Sequence, residues 1–206
     1  TGGAIVDAVS NVDDALCAWS YYDRESGIVE YKVGLTTLPL ATVPPDVAAF
    51  QNVGKRTQYR LSFLNVSLIH GQSYYCVVQA TNGAGLKISH TGHGFVFDST
   101  PATCVVNDGI SVDKNYTRVG SSMVASWECI DDESGQPQRY EWTPMHVSSS
   151  NGSRSELTTF IPLRHNRFEQ ELQLEHSGRY ISRVTAINRA GLRSTFYSDG
   201  FLVDVT

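Results

Sequence analysis

The chain has 206 residues, 16 of them basic and 21 acidic, for a formal net charge of −5, with 41% hydrophobic and 18% charged residues. This balance supplies apolar mass for ordinary globular cores but no basic stripe to neutralise phosphates, and Lys55-Arg56 is the only adjacent basic pair in the first half, so no nucleic acid is expected as a partner. No apolar run approaches the roughly 18 residues of a membrane-spanning helix, so no membrane insertion is expected, and no signal peptide is visible, as in a mature chain that has lost one.

Alternating periodicity runs through the sequence, and helical periodicity does not. In chain order, strands are predicted near 14–20, 29–35, 57–65, 73–81 and 86–97, with 36–56 read as a connecting loop. The strand at 73–81 carries the clearest pattern, since Tyr74, Cys76, Val78 and Ala80 share an inward face and Tyr75, Val77 and Gln79 take the other. Asp98-Ser99-Thr100-Pro101 then punctuates the chain with no Gly/Ser tract after it, which predicts a short linker between one domain at 1–100 and a second at 101–206. Further strands are predicted near 121–129, 138–147, 156–161, 167–174, 179–187 and 192–204, with a variable segment at 144–158. Short strands at regular intervals, bounded by Gly, Pro, Asn, Asp and Ser, indicate an all-β fold of two tandem sandwiches.

The two halves repeat one another. Leu68, Tyr74, Val78, Ala80, Asn82, Ala84, Gly85 and Leu86 return as Leu174, Tyr180, Val184, Ala186, Asn188, Ala190, Gly191 and Leu192, at a constant offset of 106 residues. Upstream, Trp19, Asp23, Glu25, Ser26 and Gly27 return as Trp127, Asp131, Glu133, Ser134 and Gly135 at an offset of 108. A fixed period of this length means one structural unit used twice, with connections that drift in length while strands are kept.

A tryptophan on the second strand (Trp19, Trp127), a tyrosine after the Ser-Gly turn (Tyr31, Tyr140), the Leu-x5-Tyr spacing ending at Tyr74 and Tyr180, and Ala-x-Asn-x-Ala-Gly at Ala80 to Gly85 and Ala186 to Gly191 together resemble fibronectin type III domains. The resemblance covers most of both halves and implies two tandem Greek-key β-sandwiches of the immunoglobulin-like kind. It also implies that Tyr74 and Tyr180 close the corner between strands E and F by bonding back to backbone, a structural role.

Four cysteines allow three pairings. Cys17 lies two residues before Trp19 on strand B and Cys76 two residues after Tyr74 on strand F, so both face inward and a cross-sheet bridge of immunoglobulin type is expected, one that ordinary fibronectin type III domains lack. The second half has Ser182 at the position of Cys76, which leaves Cys104, at the start of strand A, for Cys129, at the end of strand B. Buried free thiols are the alternative. Asn65-Val66-Ser67, Asn115-Tyr116-Thr117 and Asn151-Gly152-Ser153 satisfy the N-glycosylation rule and, beside an even cysteine count, point to a secreted or cell-surface chain.

The carboxylates of Asp23 and Glu25, and of Asp131 and Glu133, are candidate calcium ligands, against which stands the plainer reading that an Asp accepts backbone N–H bonds in a glycine-ended turn. His90 and His93 are close enough for joint zinc binding but have no evident third ligand. Neither a Gly-x-Ser-x-Gly elbow, a His-Glu-x-x-His helix nor a phosphate loop occurs, and Arg-Gly-Asp is absent. The expected function is therefore non-catalytic, without cofactor: an extracellular structural or adhesion module within a longer array in a matrix, filament or cell-surface protein, contacting other protein chains, neighbouring copies included. The alternatives are a ligand-binding receptor ectodomain and an accessory module of an extracellular enzyme.

Overall fold

The computed structural model describes residues 7–40, 44–110, 112–118 and 120–206. Within it the chain divides into two compact units, Thr1–Thr100 and Pro101–Thr206. Among the described residues the regular structure is all β apart from two short 3-10 turns, Val12–Asp14 and Leu61–Leu64.

Unit 1 contains β1 (Asp7–Val9), β2 (Leu16–Ala18), β3 (Ile28–Thr36), β4 (Ala48–Gly54), β5 (Gln58–Arg60), β6 (Ser73–Asn82) and β7 (Lys87–Phe97). One sheet has the order β1-β7-β6-β3-β4, with β1 parallel to β7, and the other is the pair β2-β5. Their inner faces meet in a single core. Ala15, Cys17, Leu61 and Leu64 come from the small-sheet side, and Tyr31, Val33, Leu35, Tyr74, Val78 and Ala80 from the large one. Trp19, just past β2, is only half-buried and packs edge-on against Tyr31, with centroids 5.7 Å apart.

Unit 2 contains β8 (Thr103–Asn107), β9 (Tyr116–Thr117), β10 (Ser122–Ile130), β11 (Arg139–Val147), β12 (Arg154–Glu156), β13 (Ile161–Leu163), β14 (Arg167–Glu171), β15 (Arg179–Ile187), β16 (Arg193–Tyr197) and β17 (Phe201–Val203). A three-stranded sheet β14-β10-β8 faces a larger one, β12-β11-β15-β17-β9, on which β13 adds to β11 and β16 to β15. Met123, Ala125 and Trp127 meet Tyr140, Trp142, Val184 and Ala186 between them, and both tryptophans are fully buried. The outer face of the larger sheet is closed by charge: Arg183 pairs with Glu156 at 2.7 Å, Arg193 with Glu141, and Arg154 lies over the Tyr197 ring.

Several strand boundaries differ from the periodic reading, each for a physical reason. The segment 36–56 is not all loop, because 48–54 forms β4, an edge strand with only Val53 buried and hence no clear alternation to read. The run 57–65 is a strand only to Arg60. Leu61 and Leu64, three apart, then share one face of a 3-10 turn that ends at Asn65 in the left-handed region (φ 51°). In place of one strand at 156–161 there are two short ones, β12 and β13, both paired with β11. The last strand, 192–204, is split into β16 and β17 at 198–200. Val77, assigned by alternation to the outer face, is fully buried, next to a register shift between β6 and β7.

Candidate functional site

The residues repeated between the units are occupied in holding turns. Asp23 Oδ1 accepts from the N–H of Ser26 (2.7 Å), the Ser26 hydroxyl (3.1 Å) and the N–H of Gly27 (3.0 Å), while Oδ2 accepts from the Asn82 amide at 3.0 Å. The oxygen of that amide accepts in turn from the N–H groups of Ala84 (3.1 Å) and Leu86 (2.8 Å). Asp131 and Asn188 rebuild this tie in unit 2, with Asp131 Oδ1 bonded to the Ser134 N–H (2.8 Å) and hydroxyl (2.6 Å), Oδ2 to the Asn188 amide (3.0 Å), and Asn188 Oδ1 to the Leu192 N–H (2.8 Å). The turn between strands B and C is thereby fastened to the turn between F and G. Gly27 and Gly135 close it at φ 67° and 76°, a conformation that would strain any other residue. Four donors on one half-buried carboxylate, the Asn82 amide first among them, pull Asp23 down to about 2. Glu25 is exposed and Glu133 half-buried. With both oxygens of each aspartate engaged by N–H and O–H donors, the chemistry of these segments is that of a hydrogen-bonded turn.

The corner tyrosines are buried, 2% and 3% exposed. The N–H of Ile69 donates to Tyr74 Oη at 2.7 Å and that of Glu175 to Tyr180 Oη at 2.8 Å, in each case five residues back. Inside these corners Gly71 (φ 76°) is replaced at the same offset by Ser177 (φ 62°), so one backbone conformation is kept under two side chains.

Cys17 is bonded to Cys76, joining β2 of one sheet to β6 of the other, and Cys104 to Cys129, which stand directly opposite in the β8–β10 ladder. The first bridge crosses the core, whereas the second pins an edge strand to its neighbour. Asn65, Asn115 and Asn151 are all exposed. His90 and His93 are exposed on β7.

Two features carry no repeated sequence signal. The first is the far side of β2 in unit 1, for which the positions matching β8 lie outside the described residues. Leu61 N–H donates to the Ala15 carbonyl and Trp19 N–H to the Thr57 carbonyl, both at 3.0 Å, so alternate residues Ala15, Cys17 and Trp19 point their backbone toward β5, and Leu16 and Ala18 point theirs away. In unit 2 the strand β8 covers Ser126–Ile130. The equivalent stretch of unit 1, at an offset of 108, is 18–22, where no strand pairs on that side among the described residues and Tyr22 stands 87% exposed. A groove of about 700 Å³ runs beside this edge, floored by Cys17 and Cys76 and walled by 92–95 of β7.

The second feature is the buried Asp108, at the end of β8, with exposed Asp113 and Asp199 beside it. Asp108 Oδ2 accepts from the N–H of Gly200 at 2.9 Å, and the Ser198 hydroxyl also bonds the carboxylate. Asp113 Oδ1 accepts from the N–H of Asp108 at 2.7 Å. Burial, opposed by the Ser198 and Gly200 hydrogen bonds and reinforced by the neighbouring carboxylates, pushes Asp108 up to about 7. The Asp-Gly dipeptide at 108–109 was the available sequence signal, but it also reads as an ordinary turn.

No family model and no curated protein matches the chain. Among solved structures, it is similar to the fibronectin(III)-like modules of CbhA from Clostridium thermocellum, with a TM-score of 0.47 and 8% identity over 98% of this chain and 90% of that one. It is also similar to the FN1-FN3 domains of chicken CNTN1, with a TM-score of 0.35 and 15% identity over 93% and 65% of the two chains. A third likeness is to a tetra-tandem repeat in the extending region of a large adhesion protein, with a TM-score of 0.35 and 16% identity over 86% and 42%.

Proposed function

We propose that this pair of fibronectin type III-like sandwiches is a non-catalytic extracellular module that holds other protein chains through exposed strand edges and loops. The observation that carries this reading is that the polar residues repeated in both units are engaged in fastening turns and corners, while among the described residues β4 stands as the outermost strand of its sheet with only Val53 buried. An unpaired strand edge presents backbone N–H and C=O groups in a row, the template on which a further strand adds.

The extracellular placement is supported by both disulfides and by the exposure of the three sequon asparagines, since oxidised cysteine pairs persist where thiols are not kept reduced. The long-array context and the identity of the partner belong to the same proposal. The test is a photo-crosslinking residue at exposed position 49 on β4 in the protein on its native cell or matrix, with the same residue at exposed position 132 of the other unit as control. Adducts to another polypeptide are expected at 49 in excess of those at 132. Equal adduct yields at 49 and 132 would overturn the reading.

A further inference from the structure

The acidic cluster of unit 2 has geometry that a turn does not require. One carboxylate oxygen from each of Asp108, Asp113 and Asp199 lies within 4.8 Å of the other two. Asp108 is only 1% exposed, and its Oδ1 is sealed from solvent with no hydrogen-bond partner. A buried anionic oxygen left without a donor is costly, and two further carboxylates beside it raise that cost, so the arrangement is incomplete without a positive charge. Three hard oxygen ligands with no nitrogen or sulfur among them select an alkaline-earth ion over zinc or copper. Calcium accepts roughly six to eight oxygen ligands in flexible geometry, whereas magnesium demands a near-ideal octahedron and dehydrates reluctantly, so an irregular set of three carboxylates suits calcium better.

We propose that Asp108, Asp113 and Asp199 form a calcium site that clamps the loop after β8 to the break between β16 and β17. Water and backbone carbonyls complete the coordination. The ion ties the end of the first strand of the unit to the break before its last. This site is separate from the aspartates of the B–C turns, whose oxygens are already engaged by hydrogen-bond donors. Lys114 lines a small cavity together with Asp108 and is the competing source of positive charge.

The test is calorimetric titration of the 206-residue chain with calcium chloride after EDTA treatment, alongside a thermal melt at each calcium concentration. One equivalent is expected to bind with a Kd on the order of 10⁻⁴–10⁻³ M and to raise the unfolding temperature. Asp199→Asn, exposed and outside any core, should weaken binding at least tenfold, and so should Asp113→Asn, which keeps an oxygen for the Asp108 N–H. Asp132→Asn, exposed on the B–C turn, should change nothing. A folded chain that neither binds nor shifts at about 10 mM calcium would overturn the proposal and leave Lys114 or a proton as the neutralising partner. Binding of equal strength in Asp199→Asn would overturn it too, by placing the ion elsewhere.

Discussion

At the scale of single residues, Asp23 and Asp131 have the same partners in different surroundings. Asp131 and Asn188 are buried, while Asp23 and Asn82 are half-buried, so one set of hydrogen bonds is read in two dielectrics. The half-buried copy can be titrated. A carboxyl whose folded value is depressed contributes stability above its unfolded value, roughly 3.9, and that contribution is lost as pH falls toward the folded value of about 2. Carbon-detected NMR should therefore place the Asp23 carboxyl near 2, and Asn82→Ala should move it up, because the Asn82 amide is its strongest partner. An Asp23 carboxyl titrating in the ordinary range in the parent chain would show that the tie does not form in solution. The pairing was half legible in the sequence: both motifs repeat, but only folding brings Asp23 to Asn82, 59 residues later.

At the scale of elements, the corner between strands E and F is where spacing and structure coincide. Leu68 and Leu174 precede their tyrosines by six residues, and each phenol oxygen lies over the backbone five residues back. Tyr180→Phe would leave the Glu175 N–H without its acceptor at a buried ring, at a cost of about 1–2 kcal/mol. Chemical denaturation should show this as a lower midpoint with unchanged slope, and an unaltered midpoint would mean the hydroxyl bond contributes nothing. The strands themselves were unevenly legible. β6 and β15 carry a core-facing series at every second position, Tyr74, Val78 and Ala80 and Tyr180, Val184 and Ala186, alongside further buried residues such as Val77 and Ile181, whereas β4 lies at an edge with one buried side chain, and an exposed strand has no apolar rhythm to detect.

At the scale of the whole molecule, each unit hides a core of modest size and carries one disulfide. The bridges span 59 and 25 residues, for which loop-closure entropy gives up to about 3–4 kcal/mol each, with the longer loop favoured by less than about 1 kcal/mol. Replacing Cys17 and Cys76 together with alanine should lower the denaturation midpoint at least as far as replacing Cys104 and Cys129 together. A midpoint indifferent to full reduction would remove the bridges from any account of stability. The sequence by itself determined what is local and repeated: the all-β class from two-residue alternation, the duplicated unit from a constant offset, the turn and corner residues from their spacing. These are properties of neighbours along the chain, and backbone stereochemistry fixes them wherever the chain goes. Only the tertiary structure decided which aspartate is buried with one oxygen lacking a donor. That depends on residues far apart in sequence: Asp108 meets Gly200 across 92 residues. Solvent exclusion and missing partners are properties of packed surfaces, so no pattern along the chain encodes them directly.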